Sequence, residues 1–261
     1  MSLDQPKDFV KHETDTRDAF LGGRLTLSQP RHGFRAGLDS VLAGVAASSE
    51  SASLLDLGCG VGTAGLVALA HNPGLAATLV DSHADMLARA RSNAADNGFA
   101  DRVRLIEADV TARGAVRAAA GLADNVFESV IANPPFFDAA SGTVPGESYR
   151  AAARHMDAET LDLWVRTAAG CAAPNGEVIF IYPVESLAPL LSAFAARFGG
   201  LTLLPLAPRP GTPVSRVLLR GIKGSRAPLV MLPSRVLHQA EGRDFAPEFD
   251  DIFRGRTRLD W

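Results

Sequence analysis

The stretch Ile131-Ala-Asn-Pro-Pro-Phe136 is the part of this sequence best suited to chemistry. An amine attached to an aromatic ring is a poor nucleophile, because its lone pair is delocalised into the ring. To react, its hydrogens must be accepted while the lone pair faces the electrophile. The Asn133 side-chain carbonyl and the main-chain carbonyl of Pro134 are two such acceptors. A proline after Asn133 restricts it to extended angles, and Pro135 does the same to Pro134. The carbonyls are thereby aimed without a moving loop. Phe136 adds a ring on which an unpaired base can stack. Catalysis by such a group is positioning and hydrogen-bond polarisation, with no covalent intermediate. A rigid turn that merely ends a strand is the plainer alternative.

A second group lies upstream, in Leu54-Leu-Asp-Leu-Gly-Cys-Gly-Val-Gly62. The first four residues read as a buried strand, and Thr63 to Ala70 reads as a helix. A glycine-rich turn between them lets a ligand approach the backbone near the free N–H groups of the helix start. The glycines Gly58, Gly60 and Gly62 give G-x-G-x-G; position 63 is Thr, so the dinucleotide pattern G-x-G-x-x-G is not met. Asp56 suits an ammonium better than a pyrophosphate. That pairing fits S-adenosylmethionine, which carries a charged amine and no phosphates. Cys59 lies inside the loop with no base beside it, and reads as a small filler among the cofactor-contacting residues rather than a nucleophile.

Two more acids fall at predicted strand ends. Asp81, nineteen residues after Gly62, can take both hydroxyls of a ribose. Asp109 can accept the exocyclic amine of an adenine. With Asp56 they place three carboxylates at the carboxyl edge of one sheet, where such folds bind ligands.

The elements that must position these groups alternate as in a doubly wound parallel sheet. Strands are predicted at 54–57, 76–80, 103–108, 126–132 and 177–182, ending in β-like runs at 202–206, 214–222 and 229–232. Helices are predicted at 63–71, 84–97, near 113–121, at 158–172 and at 185–198. Ser82 and Asp85 read as a capping box, Asn97-Gly98 as a helix stop, and Pro174-Asn175-Gly176 as another. Residues 1–18 are polar and read as frayed. The part from Phe20 to Leu27 suits a short hairpin, 29–37 a loop, and Asp39 or Ser40 a cap for a helix to about Ala47. Residues 137–157 form a long polar loop. The division expected is an N-terminal extension that covers the cofactor, residues 1–50, and a catalytic domain, residues 51–261.

Net charge is −3. Residues 41–141 hold 6 Lys/Arg against 11 Asp/Glu, whereas 197–261 hold 11 against 6. A basic tail half on an acidic body could face phosphates, through Arg209, Arg216, Arg220, Lys223 and Arg226; an exposed, solvated strand is the alternative. Two cysteines are too few for a disulfide framework and suit a reducing, cytoplasmic setting. The N-terminus lacks the pattern of a signal peptide, and no apolar stretch is long enough to span a bilayer. The six histidines, His32, His155 and His238 among them, show no metal-ligand spacing, so no metal is expected.

Together the glycine loop, the three acids and Asn133-Pro-Pro-Phe136 resemble the class I S-adenosylmethionine-dependent methyltransferases that act on amines. The Asn-Pro-Pro-aromatic motif is similar to that of N6-adenine methyltransferases and of the glutamine methyltransferases acting on release factors. Phe20-Leu-Gly-Gly-Arg24, Gln29-Pro30, Gly33-Phe-Arg35, Gly37-Leu-Asp-Ser40, Pro208-Arg-Pro-Gly211 with Arg216, and Lys223-Gly224 look like the tRNA1(Val) adenine-37 N6-methyltransferase family. The resemblance implies a Rossmann-like, seven-stranded sheet with its last strand antiparallel. It implies that Asp56, Gly58, Gly60, Asp81 and Asp109 contact the cofactor, and that Asn133, Pro134 and Phe136 hold a target adenine. Gln29, Phe34 and Arg35 would close over the methionine end. Asp81 stands where Glu is common, and Phe136 where many relatives have Tyr; reach changes, but stacking survives. The expected activity is N6-methylation of adenine in structured RNA, with tRNA the expected partner. Methylation of a protein glutamine and non-catalytic binding of cofactor and RNA stay open beside it.

Overall fold

The central strands of this protein are buried on both faces, so they read as near-continuous apolar runs. The computed structural model describes residues 15–32, 35–136 and 157–261. It begins with an antiparallel pair, β1 (Asp15–Phe20) and β2 (Leu25–Pro30). Then follow α1 (Leu38–Ala46), β3 (Ser53–Leu57), α2 (Thr63–His71), β4 (Ala76–Asp81), α3 (Ala84–Asp96), β5 (Val103–Glu107), α4 (Gly114–Ala119) and β6 (Phe127–Ala132). Beyond residue 157 come α5 (Ala158–Cys171), β7 (Ala172–Pro183), α6 (Leu187–Ala195), β8 (Phe198–Ala207) and β9 (Arg216–Lys223). The short β10 (Val230–Met231) and β11 (Arg235–Val236) precede α7 (Pro247–Phe253).

One sheet runs β10-β8-β9-β7-β6-β3-β4-β5, with β11 beside β8. Its long strands form the expected doubly wound sheet, and β9 runs antiparallel to both β7 and β8. The two-residue β10 and β11 extend it past the seven strands implied by the resemblance. On one face Leu54, Ile131, Ile179 and Leu218 pack with α1 and α2. On the other, Leu55, Val130, Phe180 and Leu219 pack with α5 and α6. Among the described residues no helix is long and apolar enough to cross a membrane.

Several boundaries differ from the sequence expectation, each for a local reason. β1 reaches back to Asp15, because its polar residues pair with β2 rather than fray, and Gln29 belongs to β2. The capping box at Ser82 and Asp85 does not form: the residue before α3 is His83, and its N–H is taken by the Asp81 carboxylate at 3.0 Å. Likewise Gly37, not Asp39 or Ser40, precedes α1. Asp109 lies two residues past the end of β5. Pro174-Asn175-Gly176 does not end a helix but bulges inside β7. Phe127 pairs with Ala172 and Ser129 with Glu177, and Asn175 takes a left-handed φ of 62°. Finally α6 stops at Ala195, and Phe198 opens β8. The loop read at 137–157 lies outside the described residues, save Asp157, which caps α5 through Thr160 N–H at 2.7 Å.

The hairpin is fastened to α3 by two side-chain amides. Asn93 accepts from Ser28 N–H at 2.7 Å and donates to Ser28 C=O at 3.1 Å. One helical turn on, Asn97 accepts from Thr26 N–H and donates to Thr26 C=O, both at 3.0 Å. Four helical residues rise about 6 Å, close to the ~6.8 Å of two antiparallel strand residues. The two amides therefore meet alternate strand residues in register and act as a neighbouring strand would. Asn93 is fully buried and also donates to Val61 C=O in the glycine loop at 3.0 Å, tying hairpin, helix and loop together. Replacing Asn93 by Ala leaves buried backbone groups unpaired, so urea unfolding should show a loss of about 2–3 kcal/mol. A loss within the scatter of surface substitutions would mean that the amide ladder carries no weight.

Candidate active site

The carboxyl ends of β3, β4 and β6 lie side by side, and this adjacency builds the site. Asp56, Gly58 and Cys59 from the β3 end line one cleft with Asn133 from the β6 end, and Ala36, Ser40 and Met86 close it. Gly58, Gly60 and Gly62 all have positive φ, of 68°, 55° and 88°, which side-chain-bearing residues rarely adopt. A Cβ on Gly58 would meet Trp164 at 2.5 Å, so that glycine lets the loop pack on α5. A Cβ on Gly60 would meet nothing within 4 Å; there the loop faces open space. Asp81 spans this turn, its carboxylate accepting from Gly60 N–H at 2.9 Å as well as from His83. Asp109 borders a neighbouring cleft with Ser82, Ala108 and Val116, on the α4 side. The Cys59 thiol is buried and pushed well up in pKa, by burial first and by Asp56 and Asp81 next, which disfavours the thiolate a nucleophile needs.

The Asn-Pro-Pro sequence has a specific consequence for hydrogen bonding. Asx side chains at strand ends usually satisfy themselves on the backbone N–H two residues on. Asp81 does so with His83 at 3.0 Å, and Asp109 with Thr111 at 2.7 Å. Two residues after Asn133 stands Pro135, which has no N–H, and the residue between them is also proline. The Asn133 Oδ1 atom is accordingly buried without a partner among the described residues, while its Nδ2 donates to Ser40 Oγ at 3.4 Å. Phe136 is held from two sides: its ring lies T-shaped to Tyr182, 5.8 Å between centroids, and the Arg216 guanidinium covers it at 4.8 Å.

The other expected site residues lie around the hairpin. Gln29 is buried, accepts from Ala36 N–H at 2.8 Å and donates to Asp18 at 2.9 Å. Arg35 donates to Asp18, Thr16 and Pro30 C=O. Both therefore brace the segment that carries Ala36 into the cleft. Phe34 lies outside the described residues. Sequence reading missed Ser40 as a cleft residue, since a serine near a helix start looks like a cap. It also missed Trp164 and Asn93, whose partners are remote in sequence.

Four of the five basic residues singled out in the tail half make contacts within the fold. Arg209 donates to the carbonyls of Gln239, Ala240 and Gly242. Lys223 caps the end of α5 through Ala169 and Ala172 carbonyls, and Arg220 stacks on Trp261 at 4.6 Å. Arg216 pairs with Asp39 at 3.0 Å. Of the five, Arg226 is exposed. His238 stacks on Phe245 at 4.8 Å; His32 is exposed, and His155 lies outside the described residues. Among the described residues no group of three or more His, Cys, Asp or Glu could hold a metal ion.

A parallel sheet with one reversed strand, a glycine loop after its first strand and an acceptor tetrapeptide after its fourth define a methyltransferase. The sequence model of the methyltransferase small domain matches residues 38–171. The tRNA1(Val) (adenine(37)-N6)-methyltransferase of Phocaeicola vulgatus is 30% identical over 200 residues, covering 75% of this chain and 80% of that protein. The chain belongs to the methyltransferase small domain family, in the group of the tRNA1(Val) (adenine(37)-N6)-methyltransferases. A partial match is the release factor glutamine methyltransferase of Chlorobaculum tepidum, 33% identical over 103 residues, which are 40% of this chain and 34% of that one. Among solved structures, protein Atu636 of Agrobacterium tumefaciens, named a predicted O-methyltransferase, superposes with a TM-score of 0.71 at 32% identity. It covers 85% of this chain and 98% of its own.

The charge at the bottom of the cleft is sensitive to pH. Burial pushes the Asp56 carboxyl from 3.8 up to about 7; the Gly65 N–H, donating at 2.9 Å, opposes this, and the charge of Asp81 adds to it. An acid whose folded pKa exceeds its unfolded one favours folding while protonated. That contribution is lost as pH climbs from 3.8 through about 7. Asp56→Asn cannot ionise, so wild type should lose melting temperature relative to this variant between about pH 5 and pH 8. Parallel melting curves for the two proteins over that range would place the titration elsewhere.

Proposed function

We propose that this chain transfers the methyl group of S-adenosylmethionine to the N6 amine of an adenine in tRNA. The observation that carries the reading is the Asn133 Oδ1, buried with no partner among the described residues, on a side chain that lines the glycine-loop cleft. It is an acceptor kept ready for a donor brought by the substrate. With the Pro134 carbonyl it would take the two hydrogens of an amine and leave the lone pair free. A carboxamide cannot remove a proton, which favours an amine over a hydroxyl as the methyl acceptor.

The residues fit the cofactor. S-adenosylmethionine supplies an electrophilic methyl carried on a sulfonium. Asp56 would face its ammonium, the Gly58 to Gly62 turn its chain, Asp81 its ribose and Asp109 its adenine. Gly60, open on its free side, leaves the space such a ligand needs. Gln29, Phe34 and Arg35 belong to the N-terminal extension, residues 1–50, that would cover the methionine end of the domain formed by residues 51–261. Phe136 would stack on the target base. Both cysteines are free and buried, in keeping with work in the cytoplasm, where tRNA is found.

Labelled-methyl transfer to total tRNA, followed by nucleoside analysis, tests the reading. Wild type should give N6-methyladenosine. Asn133→Ala should lower the rate roughly a hundredfold or more and leave titrated binding of S-adenosylhomocysteine intact. Label that appears in release factor and not in tRNA would transfer the proposal to protein glutamine, the substrate class of the partial relative. Label in neither would end it.

A further inference from the structure

The two ends of the acceptor tetrapeptide are held by two consecutive residues of one helical turn. At its first end, Ser40 Oγ receives the Asn133 side-chain N–H at 3.4 Å. At its far end, Asp39 pairs with Arg216 at 3.0 Å, and Arg216 lies over the Phe136 ring at 4.8 Å. Asp39 and Ser40 both lie in the first turn of α1, a helix whose next residues, Val41 to Ala46, are buried against the sheet. The turn is therefore fixed by the core and cannot drift with the loop it holds.

We infer that the first turn of α1 is a positioning device for the reaction, with Asp39 and Ser40 as positioning residues and Arg216 as the arm of Asp39. The inference rests on the proposed amine methylation and names what keeps its acceptor and its stacking ring in place. An amide has the same outline when turned by half a rotation, so its hydrogen bonds decide which atom faces the cleft. With Nδ2 engaged by Ser40, the oxygen faces inward. For Phe136 the argument is about sides. The guanidinium covers one face of the ring, so a base can stack only on the other. A flexible arginine beside RNA would otherwise turn to a phosphate; its pairing with Asp39 holds it on the ring.

The two arms should separate in steady-state kinetics on the full chain with S-adenosylmethionine and unmodified tRNA. Ser40→Ala should lower kcat about tenfold with KM for tRNA unchanged, because it loosens the acceptor used in the transition state. Ser40→Thr, which keeps the hydroxyl, should recover most of that loss. Asp39→Asn and Arg216→Lys should instead raise KM for tRNA roughly fivefold, since Lys keeps the charge but loses the stacking plane. Asp39→Asn and Arg216→Lys, which lie outside the lining of the cofactor cleft, should bind S-adenosylhomocysteine as wild type does. If kcat and the fraction of cofactor-binding sites fall together, in step with lost folded protein and with KM for tRNA unchanged in every variant, the turn is merely structural and the inference is overturned. Should wild type methylate no tRNA, the functional reading fails first. The side-chain amide resonances of Asn133 then decide alone: a shift in Ser40→Ala sustains the positioning role, and unmoved resonances refute it.

Discussion

A carbonyl oxygen buried without a donor costs about 1–3 kcal/mol, and among the described residues nothing donates to the buried Asn133 Oδ1. The rest of the site can be understood as what keeps that atom from finding relief. The following two residues are prolines and offer no N–H. The preceding residues, Val130 to Ala132, are fully buried in β6 between β3 and β7, so the strand end cannot shift. Ser40 takes the nitrogen side of the amide. Asp81 and Asp109, at neighbouring strand ends, fold back on their own backbone; Asn133 has no such option. A group stranded this way gains a hydrogen bond only when a ligand brings a donor, which is what a preorganised acceptor requires.

The carboxylates of the same edge follow a related logic. Asp56 is buried with one N–H, from Gly65, and its pKa of about 7 reflects incomplete compensation. Glycine at position 65 eases this contact, because a Cβ there would crowd a Leu79 methyl at 2.4 Å and the Asp56 carboxylate at 3.3 Å. Asp81 is coupled electrostatically to Asp56 and also tethers the turn between them through Gly60. A cation entering the cleft relieves the repulsion of both acids, whereas a polyanion gains nothing there. On the proposed function, cofactor and nucleic acid would be sorted by charge: the cationic ligand would be drawn to the buried acids, and RNA would offer only an uncharged base.

Much of this was legible in the sequence because it is local. The glycine loop is read from spacing, since three left-handed backbone positions demand glycine. Helix α2 falls at the expected residues, because Gly62 and Asn72-Pro73 bound it within the same short stretch. What escaped is contact between distant segments. The pairing of Asn93 with Ser28, 65 residues away, has no sequence signature, and neither does Trp164 behind Gly58. Ser82 and Asp85 form a plausible capping box, yet Asp81 accepts from His83 N–H and the helix opens one residue later than that box requires, with His83 before it. The bulge in β7 escaped for the opposite reason: Pro-Asn-Gly usually ends an element, and here the left-handed Asn175 turns the surplus residues out while the strand continues.

The arginines of the tail half show why charge counted along a sequence is a poor guide to a surface. β9 is the reversed strand, so it enters at the carboxyl edge beside the site and leaves at the opposite edge. Arg216 pairs in register with Pro183 at the end of β7, while Lys223 lies opposite Phe198 at the start of β8. Seven strand steps of about 3.4 Å separate them by roughly 24 Å. Each cation has instead been drawn to the nearest need of the fold: Lys223 to the exposed carbonyls ending α5, Arg209 to three carbonyls of one loop, and Arg220 to an indole face. Arg216 alone of these reaches a residue of the acceptor tetrapeptide, and it does so through a ring. The reversal of one strand thus converts what looks like a basic face into four separate structural contacts, one of which touches the chemistry.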